Sequence, residues 1–343
     1  MINVGIIGMG KMGILHTGIL NSLEDVNISA IAEKDDTLRN YIKGFLKDIK
    51  VYDDYKKMIN NENIDLAYIT TPVTLHAAMA YECINNNVNF FVEKPLAVSL
   101  EECEKLYNNN LISVVGYSKR FVDTFVKTKE ILDNGVLGDF VYVKGSMYLT
   151  QVFKSSKGWR FKKSESGGGI LLELASHLID LLLWYFGSIN RVSSILKNYY
   201  SKEVEDFVHA IIQFDNLDGY IDASWSVRNY RLPEINIEVH GSNGTMLVNE
   251  DYIRLILDAP FNRNNLNFND GITTIYKQEL FKGVPIDIGG VEYTREDMHV
   301  IDCVKNKRQS MLNISEASKV QAVIDAIYRS ANNNRWEDVR YLA

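Results

Sequence analysis

The amino-terminal end of the chain combines a strand pattern, a glycine-rich turn and a helix pattern in immediate succession. Residues 2–7 read I-N-V-G-I-I, the turn G-M-G-K-M-G carries Gly8, Gly10 and Gly13, and residues 14–23 have helical spacing. Gly8 permits a tight turn, Gly10 lets the backbone approach a pyrophosphate, and Gly13 lets the helix pack closely on a sheet. This succession predicts the first unit of a parallel sheet that binds a nucleotide at the helix amino terminus.

An acidic residue, Glu33, ends the second predicted strand. It lies 20 residues after Gly13, the spacing at which a dinucleotide-binding unit places a carboxylate that accepts hydrogen bonds from the adenosine ribose. The alternative is a surface glutamate beside an ordinary glycine turn, but the coincidence of strand, turn, helix and carboxylate favours a dinucleotide site. A carboxylate repels a 2′-phosphate, so NAD is favoured over NADP, while Lys34 and Arg39 keep NADP open as an alternative.

Two further strand patterns end in residues suited to ligand binding. Residues 64–72 and 88–95 belong to a strand-and-helix alternation that is typical of a parallel sheet with helices on both faces. Ligands of such sheets bind beyond the carboxyl ends of the strands. The residues at those ends are Thr70, Thr71, Pro72, Glu93, Lys94 and Pro95.

Lys94 has the most direct chemical interpretation in this group. An ammonium at the mouth of the sheet lies beside a nicotinamide, where it stabilises an alkoxide and lowers the pKa of a neighbouring acid. The alternative is a solvated surface lysine. The position of Lys94 before Pro95, at the end of a predicted strand, favours the catalytic interpretation.

A long apolar segment in the middle of the chain carries three ionisable side chains. From Ile170 there is no glycine or proline before Gly187, which predicts a helix that ends at Gly187. Glu173, His177 and Asp180 fall at i, i+4 and i+7, so a regular α-helix places them on one side. The segment is expected to be too short and too polar to cross a membrane. Either these groups partner one another in a core, or they line a cavity that holds cofactor and substrate.

The pattern changes in the second half of the chain. From about Phe121 a predicted helix is followed by strands of alternating polarity, such as residues 140–149, with turn signals between them. The predicted fold class is therefore α/β. It combines a doubly wound parallel sheet of the Rossmann type in residues 1–120 with an α+β domain in residues 121–343, whose open sheet is mostly antiparallel. The second domain is expected to bind substrate and to mediate oligomerisation.

A capping pattern marks the last long helix. Asn313 and Glu316 resemble a capping box before an amphipathic segment near residues 315–331. This helix is expected to pack back on the first domain.

Composition excludes several classes of function. The chain has 37 Lys and Arg against 44 Asp and Glu, a net charge of -7 and no basic block, so no nucleic-acid surface is expected. Cys83, Cys103 and Cys303 lack metal-ligand spacing, which predicts no metal site and favours a reducing compartment. Met1 leads directly into a strand pattern rather than a charged leader, and no membrane anchor is expected. These features predict a cytoplasmic protein.

Three motifs in this order resemble the Gfo/Idh/MocA oxidoreductase family, named after glucose-fructose oxidoreductase and inositol dehydrogenase. They are G-M-G-K-M-G, E-K-P at residues 93–95, and G-G-G-I-L-L-E-L-A-S-H-L-I-D at residues 167–180. The segments G-Y-S-K-R-F at 116–121, G-W-R-F at 158–161 and H-G-S-N-G-T at 240–245 are also similar to that family. The resemblance spans nearly the whole chain. It implies a nicotinamide cofactor and hydride transfer at a carbinol of a sugar, cyclitol or nucleotide-sugar.

The resemblance also implies roles for individual residues. Lys94 and His177 are carried over as catalytic, together with Glu173, where the family usually has Asp; His177 removes the hydroxyl proton and Lys94 hydrogen-bonds the developing alkoxide. The residues expected to contact the cofactor are Gly8, Gly10, Lys11, Met12, Gly13, Glu33, Lys34, Thr70, Thr71, Pro72, His76, Glu93 and Lys94. Those expected to contact substrate are Tyr117, Arg120, Trp159, Arg160, Lys163 and Asp180, each of which has a packing or surface role as its alternative.

Two other functions fit the same motifs. One is a non-catalytic sensor that binds a dinucleotide and a partner protein, although Lys94 and His177 argue against it. The other is an enzyme that keeps NAD bound and uses transient oxidation to cleave or epimerise a glycoside. The expected partners are a small sugar-like substrate and further copies of the chain, as a homodimer or homotetramer through the second sheet.

Overall fold

The structure, a computed structural model, describes residues 1–46, 49–154 and 158–342, which form two compact units. The first unit comprises Met1–Ser118 and Gly283–Ser318 together with Leu342, and the second comprises Lys119–Lys282 and Lys319–Tyr341. The boundary predicted at residue 120 lies close to the start of the second unit, whereas Gly283–Ser318 groups with the first. The assignment of substrate binding and oligomerisation to the second unit stays a prediction.

The elements alternate between strand and helix in the first unit and are mostly strands in the second. The helices are α1 (Lys11–Leu20), α2 (Asp36–Phe45), α3 (Tyr55–Asn61), α4 (His76–Asn85), α5 (Leu100–Tyr107), α6 (Asp123–Asp133), α7 (Lys163–Ser166), α8 (Ser176–Phe186), α9 (Lys277–Leu280), α10 (Val291–Lys305) and α11 (Ile314–Asn333). The strands are β1 (Ile2–Ile7), β2 (Val26–Ala32), β3 (Lys50–Tyr52), β4 (Leu66–Ile69), β5 (Asn89–Glu93), β6 (Ser113–Gly116), β7 (Phe140–Tyr148), β8 (Arg191–Lys197), β9 (Phe207–Gln213), β10 (Asp218–Ser224), β11 (Glu234–Gly241), β12 (Gly244–Val248), β13 (Tyr252–Leu257), β14 (Phe261–Arg263), β15 (Leu266–Phe268), β16 (Gly271–Tyr276) and β17 (Glu337–Asp338). Single 3-10 turns occur at Val73–Leu75, Ser118–Phe121 and Trp159–Phe161, and a π-helical segment occurs at Leu171–Ala175.

The first unit is built on a six-stranded parallel sheet in the order β3-β2-β1-β4-β5-β6. Its central strands are apolar on both faces, and Ile6, Tyr68 and Phe91 are fully buried, because helices cover both faces of such a sheet. The strand order reverses between β1 and β4, and ligands of open parallel sheets bind beyond the strand ends at such a point.

The second unit is built on a nine-stranded sheet in the order β16-β13-β12-β11-β7-β10-β9-β8-β17. Its neighbouring strands pair antiparallel, with β7 and β10 the parallel exception. Alternate residues are buried along β13, because a half-covered sheet buries one side chain in two. Helix α8 covers the inner face, and Leu178 packs so closely on Gly145 of β7 that a methyl group there would lie 2.9 Å from its Cδ1. The predicted fold class, a parallel sheet followed by a mostly antiparallel one, is confirmed.

Helix α11 begins where the capping pattern predicted. The side chain of Asn313 accepts a hydrogen bond from the backbone N–H of Glu316 at 3.1 Å. Further along, Ser330 accepts a hydrogen bond from the N–H of Ser194 on β8 at 3.0 Å, and Tyr328 donates to Glu205 at 2.9 Å. The carboxyl-terminal part of α11 therefore packs within the second unit, and its packing on the first unit stays a prediction.

The central apolar segment was expected to be too short and too polar to cross a membrane, and this expectation about its length and composition is wrong. The helical stretch Lys163–Phe186 is long and apolar enough to cross a membrane by length and composition alone. Within the protein, however, 78% of the most apolar 18-residue segment of this helix is buried. Burial of this extent is that of a core helix, whose apolar side chains pack on the second sheet.

The three cysteines lie inside the protein as free thiols. Burial raises the pKa of Cys83 to about 12 and the pKa of Cys103 to about 12. Because the thiolate is the reactive form, these two thiols are chemically inert near neutral pH.

Candidate active site

The glycine turn of the first unit leaves room for a ligand. Gly8 has a positive φ of 91°, which L side chains rarely adopt. At Gly13 a methyl group would lie 2.1 Å from the carbonyl oxygen of Gly8, so the turn and the helix touch there. A methyl group at Gly10, by contrast, would meet no atom within 4 Å in the described chain. Helix α1 begins directly after Gly10, so its first-turn N–H groups face a space that a pyrophosphate fits.

Glu33 lies beside this turn. Its carboxylate accepts the N–H of Met9 at 2.7 Å and the N–H of Asp35 at 2.8 Å. Arg39 donates from Nη1 to the carbonyl oxygens of Glu33 and Lys34, both at 2.8 Å, and also pairs with Asp36. The guanidinium is therefore held on the backbone next to the expected ribose position. The Glu33 carboxylate fits the ribose of NAD, because a fixed carboxylate accepts hydrogen bonds from ribose hydroxyls.

The ends of β4 and β5 are tied together by His76. Its Nδ1 lies 2.8 Å from the carbonyl oxygen of Pro95, and its Nε2 lies 2.8 Å from that of Thr71. Burial lowers the pKa of His76. Thr70 donates to the carbonyl oxygen of Gly8 at 2.7 Å, which fixes the end of β4 against the glycine turn. The contact of these side chains with a cofactor stays a prediction.

Glu93, Lys94 and Pro95 form the turn after β5, and the Lys94–Pro95 peptide bond is cis. The Glu93 side chain is buried, and its Oε2 accepts the backbone N–H of Lys94 at 3.2 Å. Its other oxygen, Oε1, lies 3.1 Å from Nε2 of His16 on α1. The turn that carries Lys94 is thus fixed from beneath by a buried carboxylate. Tyr117, which the sequence assigned to substrate, is also buried, with 1% of its surface exposed.

The triple glycine of the second unit is explained by Glu205, a residue that the sequence interpretation missed. Oε1 of Glu205 accepts the N–H groups of Gly169 and Leu171 at 2.9 and 3.1 Å, as well as the hydroxyl of Tyr328. A methyl group at Gly169 would lie 1.9 Å from the carbonyl oxygen of Glu205. Burial raises the pKa of Glu205. The glycines thus allow two backbones to approach each other at the start of the helix, and their repetition was the one sequence signal for such an approach.

The helix that carries the polar stripe is not regular. It is π-helical over Leu171–Ala175 and becomes α-helical from Ser176 to Phe186, and Gly187 ends it with a φ of 83°, as predicted. Glu173 lies in the π-helical segment rather than in the α-helix, so its alignment with His177 and Asp180 on one side of the helix stays a prediction. Segments of this kind are frequent at functional sites, because they redirect side chains.

Glu173 and Asp180 each have a cationic partner within the second unit. Oε1 of Glu173 lies 2.6 Å from Nε of Arg160, and the Arg160 guanidinium lies 5.4 Å from the ring centre of the half-exposed Trp159. Asp180 pairs with Arg120 through two contacts, at 2.9 Å from Nε and 2.7 Å from Nη2. At the start of α7, the N–H of Lys163 donates to the side chain of Glu203 at 3.2 Å.

The Arg120–Asp180 pair corrects one explanation of the stripe. One of the two interpretations of the sequence was that all three groups line a cavity that holds cofactor and substrate. The side chains of Arg120 and Asp180 are 2% and 1% exposed, and each satisfies the charge of the other. Asp180 therefore needs no ligand to compensate its charge, while His177 is 8% exposed on the same helix.

Two family models match the chain in the order of its two sheets. Residues 2–110 match an oxidoreductase family with an NAD-binding Rossmann fold, and residues 125–247 match the GFO/IDH/MocA C-terminal domain. The chain belongs to the Gfo/Idh/MocA oxidoreductase family. It is therefore an NAD-binding oxidoreductase, as the resemblance implied.

Curated relatives and solved structures agree with this assignment. The chain is 24% identical over 325 residues to levoglucosan dehydrogenase of Pseudarthrobacter phenanthrenivorans, which covers 83% of both proteins. It is 26% identical over 262 residues to scyllo-inositol 2-dehydrogenase (NAD(+)) of Bacillus subtilis, covering 72% of this chain and 73% of that protein. A solved structure of levoglucosan dehydrogenase in complex with NADH and levoglucosan superposes with a TM-score of 0.87 at 23% identity, covering 99% of this chain and 100% of that one. The structural likeness shows the shared fold.

Proposed function

We propose that this oxidoreductase is an NAD-dependent dehydrogenase acting on a carbinol of a sugar, cyclitol or nucleotide-sugar. The observation that carries the proposal is Lys94, held by Glu93 in the turn at the carboxyl end of β5 in an NAD-binding unit. His177 on α8 supplies the matching acid–base group in the second unit. Two relatives are named as dehydrogenases of levoglucosan and of scyllo-inositol, which supports a polyhydroxylated ring as substrate.

The cofactor site is formed by the glycine turn and the residues at the ends of β2, β4 and β5. The amino terminus of α1 faces the pyrophosphate and Glu33 accepts from the adenosine ribose. NAD is favoured over NADP, because the Glu33 carboxylate would repel a 2′-phosphate and Arg39 donates to backbone carbonyls. When bound, the nicotinamide supplies the acceptor or donor of hydride.

The proposed chemistry needs one proton acceptor and one cation at the reacting hydroxyl. The imidazole of His177 takes the hydroxyl proton during oxidation and returns it during reduction, since imidazoles as a class titrate near neutral pH. The ammonium of Lys94 donates a hydrogen bond to the same oxygen and stabilises its developing negative charge. Glu173, paired with Arg160, lies one helical turn before His177 and orients the imidazole or a substrate hydroxyl.

Substrate recognition is assigned to the second unit and to the end of the first. We propose contacts from Trp159, Arg160 and Lys163, which precede the triple glycine, and from Tyr117. Arg120 and Asp180 act through each other and hold α8 in place.

The uncovered face of the second sheet is proposed as a surface between copies of this chain, giving a homodimer or homotetramer. Four isoleucines on this face are exposed, namely Ile195 of β8, Ile211 of β9, Ile256 of β13 and Ile272 of β16. A cytoplasmic location remains part of the same proposal.

The test is substrate-dependent formation of reduced nicotinamide, followed by its absorbance, with levoglucosan, inositols, aldoses and nucleotide-sugars and with NAD or NADP. His177→Ala should lower kcat by about 10² to 10⁴ while NADH affinity changes little. Lys94→Met should behave in the same way. His299→Ala, a change of the same kind at a histidine that contacts Ser310, is the matched control and should turn over normally.

Other outcomes identify the alternatives. Product without net reduced nicotinamide indicates an enzyme that oxidises transiently, and dinucleotide binding without turnover of any substrate indicates a sensor. Normal turnover of His177→Ala with a good substrate excludes His177 as the base.

A further inference from the structure

A fully buried histidine lies directly beneath the turn that carries Lys94. His16 on α1 has no exposed surface. Its Nδ1 lies 2.8 and 3.0 Å from the two carboxylate oxygens of Asp297 on α10, and its Nε2 lies 3.1 Å from Oε1 of Glu93 on β5. The hydroxyl of Tyr68 donates at 3.1 Å to Oδ1 of Asp297, the oxygen that lies 2.8 Å from Nδ1 of His16. All four residues belong to the first unit.

The two carboxylates that face the His16 ring determine how many N–H groups the ring must carry. A neutral imidazole has one N–H and one bare nitrogen, so one of its nitrogens can only accept. Here each ring nitrogen faces a carboxylate, which accepts and does not donate when it is ionised. Both contacts are satisfied at once when the ring carries two N–H groups, because the single positive charge then lies between two negative ones.

We propose that His16 is a positioning residue of the reaction: as an imidazolium between Asp297 and Glu93, it holds the Glu93 carboxylate against the backbone N–H of Lys94. The chain of contacts runs from Asp297 through His16 to Glu93 Oε1, and from Glu93 Oε2 to Lys94. Release of this carboxylate removes one of the contacts that hold the turn from which the ammonium extends. This inference rests on the proposed catalytic role of Lys94.

The groups around His16 support a held proton. Burial lowers the pKa of His16, but Asp297 and Glu93 outweigh that effect and the pKa lies well above its ordinary value. Glu296 on the same helix as Asp297 is fully buried and, among the described residues, neither of its carboxylate oxygens has a hydrogen-bond partner. Burial raises the pKa of Glu296 well above its ordinary value, which favours the uncharged form of this carboxyl group beside Asp297. The remaining titratable neighbours that face the cluster are Tyr68, Tyr293 and Glu292.

Two substitutions separate the two ring nitrogens of His16. His16→Asn keeps a polar group near the Nδ1 position and loses the contact to Glu93, whereas His16→Gln reaches the Nε2 position and keeps a donor for Glu93. We expect His16→Asn to lower kcat by about 10- to 100-fold, the cost of misplacing a catalytic group by about 1 Å. His16→Gln should recover most of that loss, and NADH affinity should change little in either variant. His299→Asn, the same substitution at a histidine outside this cluster, should turn over normally.

A double-mutant cycle shows whether His16 acts through Lys94. In the Lys94→Met background, His16→Asn should cause no further loss beyond about twofold, because the group that it positions is already gone. Independent losses that multiply would overturn the proposal, as would His16→Asn turnover within about twofold of wild type. Lys94→Met with wild-type turnover would overturn the proposed function itself, and so the two failures are distinguishable.

One measurement needs no variant to fold. Nitrogen-15 NMR of histidine-labelled wild-type protein near neutral pH should show both His16 ring nitrogens in the N–H form. A His16 ring with a single N–H at that pH would overturn the imidazolium bridge.

Discussion

The buried ion pair of Arg120 and Asp180 gives the sharpest prediction about stability. Both side chains are at most 2% exposed, and two contacts of 2.9 and 2.7 Å join them. Asp180→Asn keeps the shape of the side chain and removes its charge, so the buried Arg120 guanidinium loses the ionised carboxylate that it contacts at 2.9 and 2.7 Å. Breaking a buried pair in this way costs about 3 to 5 kcal/mol. Since about 1 kcal/mol shifts Tm by roughly 2 to 4 °C in a unit of this size, Tm should fall by about 6 to 20 °C.

The assay is thermal unfolding followed by circular dichroism in the absence of ligands. Asp133→Asn is the matched control, because Asp133 forms an ion pair with Lys129 in which its own side chain is 53% exposed, and exposed pairs contribute little to stability. Replacement of both partners, as Arg120→Met with Asp180→Leu, should return Tm close to the wild-type value, since two well-packed apolar side chains replace a buried pair at little cost. A fall in Tm for Asp180→Asn no larger than that of the control would show that the ion pair is not needed for stability. Normal stability of the double variant with a large rise in KM would instead assign the pair to substrate binding.

Three further predictions concern groups outside the proposed reaction. Burial raises the pKa of Glu296, so the folded protein loses stability as the pH rises and this carboxyl group must give up its proton. Glu296→Gln should therefore have a higher Tm than wild type at about pH 8 and the same Tm as wild type at about pH 4. A variant with the wild-type Tm at both pH values would contradict this. Gly169→Ala should abolish most soluble folded protein, because its methyl group would lie 1.9 Å from the carbonyl oxygen of Glu205, whereas Gly44→Ala, which would meet no described atom within 4 Å, should express normally. Cys83, whose pKa is raised to about 12, should resist iodoacetamide near neutral pH in the folded protein and react after unfolding, and rapid labelling of the native thiol would disprove its burial.

The sequence predicted the fold well because periodicity and glycine spacing are local signals. The strand that ends at Ile7, the turn at Gly8 and the carboxylate at Glu33 follow from patterns within a single βαβ unit. The alternation of the second half likewise predicted an antiparallel sheet. The grouping of Gly283–Ser318 with the first unit depends on contacts such as the hydrogen bond from Val115 to Leu312, which local patterns do not reveal.

The candidate site was predicted only in part, for the same physical reason. Lys94 and Glu93 were found from their place at the end of a strand, but the contacts of Glu93 with His16 and of His16 with Asp297 were not, since these pairs are 77 and 281 positions apart. The π-helical segment at Leu171–Ala175 was also missed, because a nearly continuous apolar run shows no periodicity that would distinguish a π-helix from an α-helix. The role of Glu205 was not predicted either, because a run of glycines does not indicate which residue lies against it. Pairings between distant segments decide where such charges are compensated, and a single sequence does not record them.

The proposed mechanism requires that Lys94 and His177 act on the same hydroxyl-bearing carbon. A crystal structure of the enzyme with NADH and a bound sugar or cyclitol tests it most directly. The Lys94 ammonium and the His177 imidazole should both lie within about 3.2 Å of one substrate oxygen, whose carbon faces the nicotinamide ring. A complex in which these two groups contact different oxygens, or in which either faces away from the substrate, would contradict it.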